Sequence, residues 1–333
     1  MSRFLVNQEM RFPQEIRQVI LDALPQETSL FGGTPDLRYT YVPASHAKAL
    51  HPDSMLVVGI RGAGKSFWWA ALQREDHRSL IASASPGTQI DRNMVVSQGF
   101  GEKSSPAHYP GKDALIALLG TCEARLIWRS IIAFHVLSQV MSNSPLSKLP
   151  TWKERVAWVG EHPEETEKML YDADAGLVRS KTYHLILFDA LDRCADDWPS
   201  MFKLVKGMLQ VLLEFRSYSR IRPKAFVRPD HLEDPSVADF PDASKVLTQQ
   251  VELNWPRHEL YGLLWQYLAN EPKNGQLFRD HCQVEFERQG AVWIIPERLR
   301  TDEDIQRRVF HAITGAWMGR ALEHGWDGLW STS

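Results

Sequence analysis

The most constraining stretch of the chain runs from Met55 to Leu72. Met55 to Val58 is an uninterrupted apolar run, which suits a strand buried on both faces. It leads directly into Gly59-Ile60-Arg61-Gly62-Ala63-Gly64-Lys65-Ser66, which fits the pattern G-x-x-x-x-G-K-[ST] without a gap. Phe67, Ala70 and Ala71 then recur at helical spacing. Strand, glycine-rich loop and helix in that order are the context a phosphate-binding loop needs. Glycines allow backbone conformations and close approaches that a β-carbon would block. The loop can then turn its N–H groups inward at a helix N-terminus, where the partial positive charge favours an anion. The expected nucleotide contacts are Gly59, Arg61, Gly62, Ala63, Gly64, Lys65, Ser66 and Phe67. In that arrangement Lys65 bridges the β- and γ-phosphates and Ser66 holds Mg²⁺.

A second stretch, Tyr183-His184-Leu185-Ile186-Leu187-Phe188-Asp189, has the form of a central parallel strand ending in an acid. Ligands of open parallel sheets gather at the C-terminal ends of the strands. Asp189 is therefore expected beside Ser66 as the second Mg²⁺ residue. Asp192, three positions on, is expected to polarise an attacking water, although a helix-capping Asp would look the same. Lys224 to Arg228 reads as a fourth strand. Arg228 at its end is expected to stabilise charge on the γ-phosphate, with pairing to Asp230 as its plainer role.

Elsewhere, Ser79 to Ser85 reads as the second strand, and Ala84 to Gly111 as loops with one short helix near Asp91 to Ser97. Asp113 to Met141 reads as one long helix capped by Asp113, and Thr151 to Asp172 as one or two polar helices. Trp198 to Phe215 is strongly helical, and Val251-Glu252-Leu253 marks a fifth strand. Pro13 to Leu24, His258 to Leu268 and Asp302 to Leu322 show helical spacing. Tyr39 and Tyr41 are placed either to stack on an adenine or to pack in the core. The expected fold is α/β, a three-layer sandwich with a mostly parallel central sheet plus a C-terminal helical subdomain. Its division is 1–50 as a lead-in packing on the core, 51–254 as the nucleotide domain and 255–333 as the helical part.

With 333 residues, 44% hydrophobic and 24% charged, the chain has a globular composition long enough for one large domain or two smaller ones. A formal net charge of −3 makes no global electrostatic case for nucleic acid or an anionic membrane. Cys122, Cys194 and Cys282 lie far apart, without metal-ligand spacing. Together with the lack of an apolar core in Met1 to Met10, they point to a cytoplasmic protein. The tryptophans are expected mostly in the core. Trp326 and Trp330 are the candidates for an exposed partner surface.

Taken together, the run Gly59 to Ser66 and the run Leu185-Ile186-Leu187-Phe188-Asp189-Ala190-Leu191-Asp192-Arg193-Cys194 resemble P-loop ATPases of the additional-strand class. Within it they are similar to the STAND group and its KAP branch. Val227-Arg228-Pro229-Asp230 is similar to the strand-end Arg-x-Asp of bacterial relatives, and Leu253-Asn254-Trp255 with Glu259-Leu260 resembles the exit from the last core strand. The resemblance covers roughly Met55 to Leu268. It implies an extra strand between the two nucleotide motifs, with ATP and Mg²⁺ as ligands. It also implies a switch that controls assembly or a partner protein, often in bacterial defence or signalling. Self-association is implied too, with an arginine such as Arg193 offered to a neighbour. No inserted membrane helix is present. Asp192 stands where many relatives of the wider class carry a glutamate. A phosphotransferase, a non-hydrolysing nucleotide scaffold and a DNA-linked recruiter are the competing readings. The lack of an Asn-Lys-x-Asp motif favours ATP over GTP.

Overall fold

The computed structural model describes Ile20, Ala23, Gly33 and residues 35–91, 93–141 and 143–314. Most of the expected Pro13 to Leu24 helix lies outside the described residues. So do Trp317, Trp326 and Trp330. The chain divides into two compact units, one of Ala44–Trp255 and one joining Asp36–Pro43 to the region from Pro256. The residues expected as a single lead-in, 1–50, are thus split between the two.

The larger unit is built on five parallel strands: β1 (Leu56–Val58), β2 (Val95–Phe100), β3 (His184–Phe188), β4 (Ile221–Val227) and β5 (Val251–Glu252). Their order across the sheet is β2-β3-β4-β1-β5. Strand β4 therefore lies between β1 and β3, pairing Val58 with Val227 on one side and Phe188 with Ala225 on the other. Every residue of β1 and β3 is buried, as strands covered on both faces require. Helices α1 (Lys65–Leu72), α2 (Glu75–Ala84), α3 (Lys112–Leu119), α4 (Ala124–Val140), α5 (Trp152–Glu161), α6 (Pro163–Ser180) and α7 (Trp198–Phe215) flank the sheet. The arrangement is compatible with a three-layer sandwich.

Several expectations are overturned here. Ser79 to Ser85 is the second half of α2 and not a strand. Glu75 and Asp76 favour its N-terminal turn, and His77, Leu80 and Ile81 fall at helical spacing on its buried side. The second strand in sequence is instead β2, where loops and a short helix were expected. Its residues 95–98 are only partly buried, so it lacks the apolar run that marks β3. Its pairing with β3 is irregular at Gly99, where the close approach of the Phe188 ring and Ile186 leaves no room for a β-carbon. The expected single helix from Asp113 to Met141 is two helices, broken at residues 120–123. Its N-cap is Gly111 rather than Asp113. Thr151 and Glu154 form a reciprocal capping box that starts α5.

Lys224, in the middle of β4, is wholly buried. Its ammonium donates to the carbonyls of Ala49 (2.7 Å), His51 (2.9 Å) and Ser54, tying the segment before β1 to the sheet. Burial pushes its pKa down to about 7, opposed by the Asp53 carboxylate.

The smaller unit contains α8 (Arg257–Ala269), α9 (Gly275–His281), α10 (Glu297–Thr301) and α11 (Glu303–Thr314). Its core gathers Trp265, Phe278, Leu299, Ile305 and Val309. It also holds an antiparallel hairpin, β6 (Glu287–Gln289) and β7 (Val292–Ile294), turned at Gly290 with φ +60°. The expectation of a purely helical part misses this hairpin, whose strands are too short to show alternation. Tyr39 stacks on Tyr267 with ring centres 4.6 Å apart, and the Tyr41 hydroxyl donates to the Glu259 carboxylate. Both tyrosines thus take the core role. Gly262 must lack a side chain, since a β-carbon would collide with the Tyr41 ring. No helix among the described residues is long and apolar enough to cross a membrane.

Candidate functional site

The elements that carry the sequence motifs converge at one edge of the sheet, the C-terminal ends of β1, β3 and β4. The connections diverge about the adjacent pair β4 and β1, since β1 leads on to β2 at one edge of the sheet and β4 to β5 at the other, which makes this a switch point. Crevices at such points are where open parallel sheets bind ligands.

The loop after β1 curls over that edge. Gly59 donates to the Val227 carbonyl (3.1 Å), and a β-carbon on Gly59 would come within 3.0 Å of the Ala63 β-carbon and 3.3 Å of that of Leu253. Gly62 and Gly64 take φ of +85° and +97°, values that only glycine adopts cheaply. Ala63 closes a turn onto the Ile60 carbonyl (3.2 Å), and α1 begins at Lys65. The backbone N–H groups of Gly64, Lys65 and Ser66 donate to no acceptor among the described residues. Three successive donors left open at a helix N-terminus form an anion cradle.

Lys65 folds back over the loop. Its ammonium donates to the carbonyls of Gly59 (2.7 Å) and Ile60 (2.9 Å). Burial lowers its pKa, opposed chiefly by the nearby Asp189 carboxylate. Asp189 is itself only 3% exposed. Burial raises its pKa, and hydrogen bonds from the Ser66 hydroxyl and the Ala190 N–H partly offset this. The structure therefore brings Lys65, Ser66 and Asp189 together as the sequence predicts. Both charges of the pair carry a desolvation penalty.

Beyond Asp189 the backbone turns through Ala190 in the left-handed region, φ +56°, into a 3-10 turn over Leu191–Arg193. A non-glycine residue there is strained, and strain of this kind persists where the surroundings enforce it. The turn presents Asp192, 43% exposed at its side chain, to Arg228, whose Nη1 lies 3.7 Å away. Arg228 also forms a two-pronged pair with Asp230 (3.0 and 2.7 Å). Arg228 thus joins the site, but through a network with both acids. Arg193, expected to face a neighbouring subunit, is held within the chain by Glu102 at 2.7 Å. Arg61 is exposed, and Phe67 packs edge-on against Trp68.

One participant escaped the sequence. His231 is buried behind Asp230, its Nδ1 has no hydrogen-bond partner, and its ring meets Trp198 edge-on at 6.4 Å. Burial lowers its pKa, opposed first by Asp230 and then by Asp192. Only its position just after the strand-end Arg228-Pro229-Asp230 could have drawn attention to it. Trp198 itself is 55% exposed, at the start of α7.

No protein-family model, no curated protein and no solved structure matches this chain. The functional reading therefore rests on the site.

Proposed function

We propose that the chain is an ATP-binding and ATP-hydrolysing switch of the P-loop additional-strand type its motifs resemble. In this reading nucleotide state controls assembly with further copies or the action of a partner protein in the cytoplasm. The observation that carries the reading is the buried Asp189 at the end of β3, one strand away from the loop after β1 with its open N–H cradle of Gly64 to Ser66.

The donor set fits Mg²⁺. Among the described residues no group of three or more His, Cys, Asp or Glu could cage a metal. A hydroxyl and one carboxylate are what Mg²⁺ takes from a protein when phosphate oxygens and waters complete its shell. When bound, Mg²⁺ would neutralise phosphate charge at Ser66 and Asp189. The chain's own residues do the rest. The N–H groups of Gly64, Lys65 and Ser66 hold the β-phosphate. Lys65 exchanges the carbonyls of Gly59 and Ile60 for phosphate oxygens, so its positive charge is already in place. Arg228 turns from Asp192 towards the γ-phosphate, freeing that carboxylate. Asp192 then takes a proton from water as its oxygen bonds to the γ-phosphorus and the bond to the β-phosphate oxygen breaks, releasing ADP.

The hold of Arg228 on Asp192 favours one second reading, a chain that binds ATP without turning it over. Phosphate release by the purified chain, beside Lys65→Ala and Asp192→Asn, separates the two across protein concentrations. Turnover lost in both variants, and rising per molecule with concentration, supports the assembling ATPase. Tight ATP binding without turnover leaves the scaffold. No binding at all by the wild type refutes both.

A further inference from the structure

The phosphate loop is gripped from outside by residues that its motif does not include. Trp255, half-buried just beyond β5, donates its indole N–H to the Ala63 carbonyl at 3.0 Å. Its ring meets His46 edge-on, with centres 4.7 Å apart and planes at 77°. On its other side His46 accepts at Nδ1 a hydrogen bond from the Trp68 indole, 3.0 Å, one turn into α1. The two chain segments are joined again one residue earlier, where the Ser45 hydroxyl donates to the Asn254 carbonyl at 2.8 Å. Leu253 is fixed to the end of β1 by its N–H on the Val58 carbonyl, 2.8 Å. The indole therefore approaches the loop from a rigid mount.

Peptide geometry gives that grip a consequence. The Ala63–Gly64 bond is trans, as are all described peptides. In a trans peptide the C=O and the N–H point in opposite directions. Drawing the Ala63 carbonyl outward onto Trp255 turns the Gly64 N–H inward, into the cradle. Gly64, at φ +97°, is free to rotate in ways other residues are not, so its peptide needs an external hold. We infer that Trp255, seated on His46, is a positioning residue for nucleotide binding that presets the Ala63–Gly64 peptide for the β-phosphate. The inference rests on the nucleotide reading above and adds to it a residue outside the motif.

The test is Trp255→Phe, which keeps a ring against His46 and removes the donor. Two measurements are made: affinity for ADP and ATP, and hydrogen exchange of peptides spanning 59–68 in the nucleotide-free chain. The expected result is faster exchange and nucleotide binding weaker by about fivefold to tenfold, the value of one neutral hydrogen bond. The melting temperature without nucleotide should hold. A lower melting temperature with unchanged affinity would assign Trp255 to packing alone and overturn the inference. Unchanged loop exchange would overturn it whatever the chain binds. A wild-type chain that binds no nucleotide, with exchange still raised by the substitution, would remove the nucleotide reading and leave a loop clamp of another purpose, overturning the inference as stated. Should Trp255→Phe not fold, His46→Phe keeps a ring at the mount and removes the Trp68 acceptor. The same rise in exchange and loss of affinity is expected from it, and their absence refutes the inference equally.

Discussion

Replacing Asp189 by Asn separates the cost of the site from its use. Asp189 is buried, and burial holds its carboxyl pKa above the ordinary value of about 3.9. In the native state the group binds protons more readily than in the unfolded chain. Its stability contribution is therefore full at low pH, below the unfolded value, and is lost as pH rises through the raised native one. Each unit of that rise corresponds to about 1.4 kcal/mol at neutral pH. Asn keeps the size of the side chain and an acceptor oxygen, and removes the buried charge. The nucleotide-free variant should match the wild type near pH 4 and become the more stable form as pH climbs to 7. For a unit the size of Ala44–Trp255, which holds Asp189, each kcal/mol shifts the melting point by about 2–4 °C. With ATP and Mg²⁺ the order reverses. A ligand at one hundred times its Kd adds about 2.7 kcal/mol, and the variant forfeits most of that gain. Thermal unfolding at pH 4, 5.5 and 7, with and without Mg²⁺ and ATP, reads all of this. A variant less stable than wild type at pH 7, with its ligand-induced shift intact, would make Asp189 a structural acid and refute the reasoning.

Two further outcomes follow from the same structure. Gly62→Ala places its methyl in open space but at φ +85°, a cost of about 1–2 kcal/mol, whereas Gly59→Ala presses one against the β-carbons of Ala63 and Leu253, which cannot swing aside. ADP titration should find Gly59→Ala the more damaging to binding, and equal losses would count against the described loop path. His135 and His184 are buried, with pKa values pushed down to about 4 and about 3. Between about 6.5 and those values the unfolded chain binds the extra protons, so stability falls as pH drops through that window, by up to about 1.4 kcal/mol per unit for each histidine. Denaturant midpoints at pH 7 and 5.5 should show the decline, and His184→Gln should flatten it.

Much of the site could be read in the residues because its parts have strong local signatures. A phosphate-loop pattern demands glycines at set positions, and a strand buried on both faces leaves an apolar run such as Leu185 to Phe188. Trp198 to Phe215, marked as strongly helical, is helical over that whole span. The second strand was hidden because β2 is only half covered. Polar Ser97 and Gln98 stand there, satisfied by His184 and Gln73, contacts no local window can foresee. The run Ser79 to Ser85 misled for the opposite reason. It is short and apolar enough for a strand, yet Glu75 and Asp76 start a helix upstream of it. The engagement of Arg228 by Asp192, the burial of His231 and the seat of Trp255 on His46 are tertiary facts, whereas the Arg228–Asp230 pair is local and was legible.

The stagger of β4 against β3 arranges the site in depth. Asp189 follows Phe188, which is level with Ala225, whereas Arg228 follows Val227 and so stands two residues further along β4. At about 3.3 Å per residue this amounts to roughly 7 Å. The buried acid with Ser66 forms an inner tier, and Arg228 with Asp192 an outer one. A phosphate chain seated in the cradle would thereby be measured by its length. On the ATP reading, the third phosphate is the one that reaches the outer tier and competes for its arginine, and a diphosphate stops short. The strand register itself becomes the gauge that tells one nucleotide from the other.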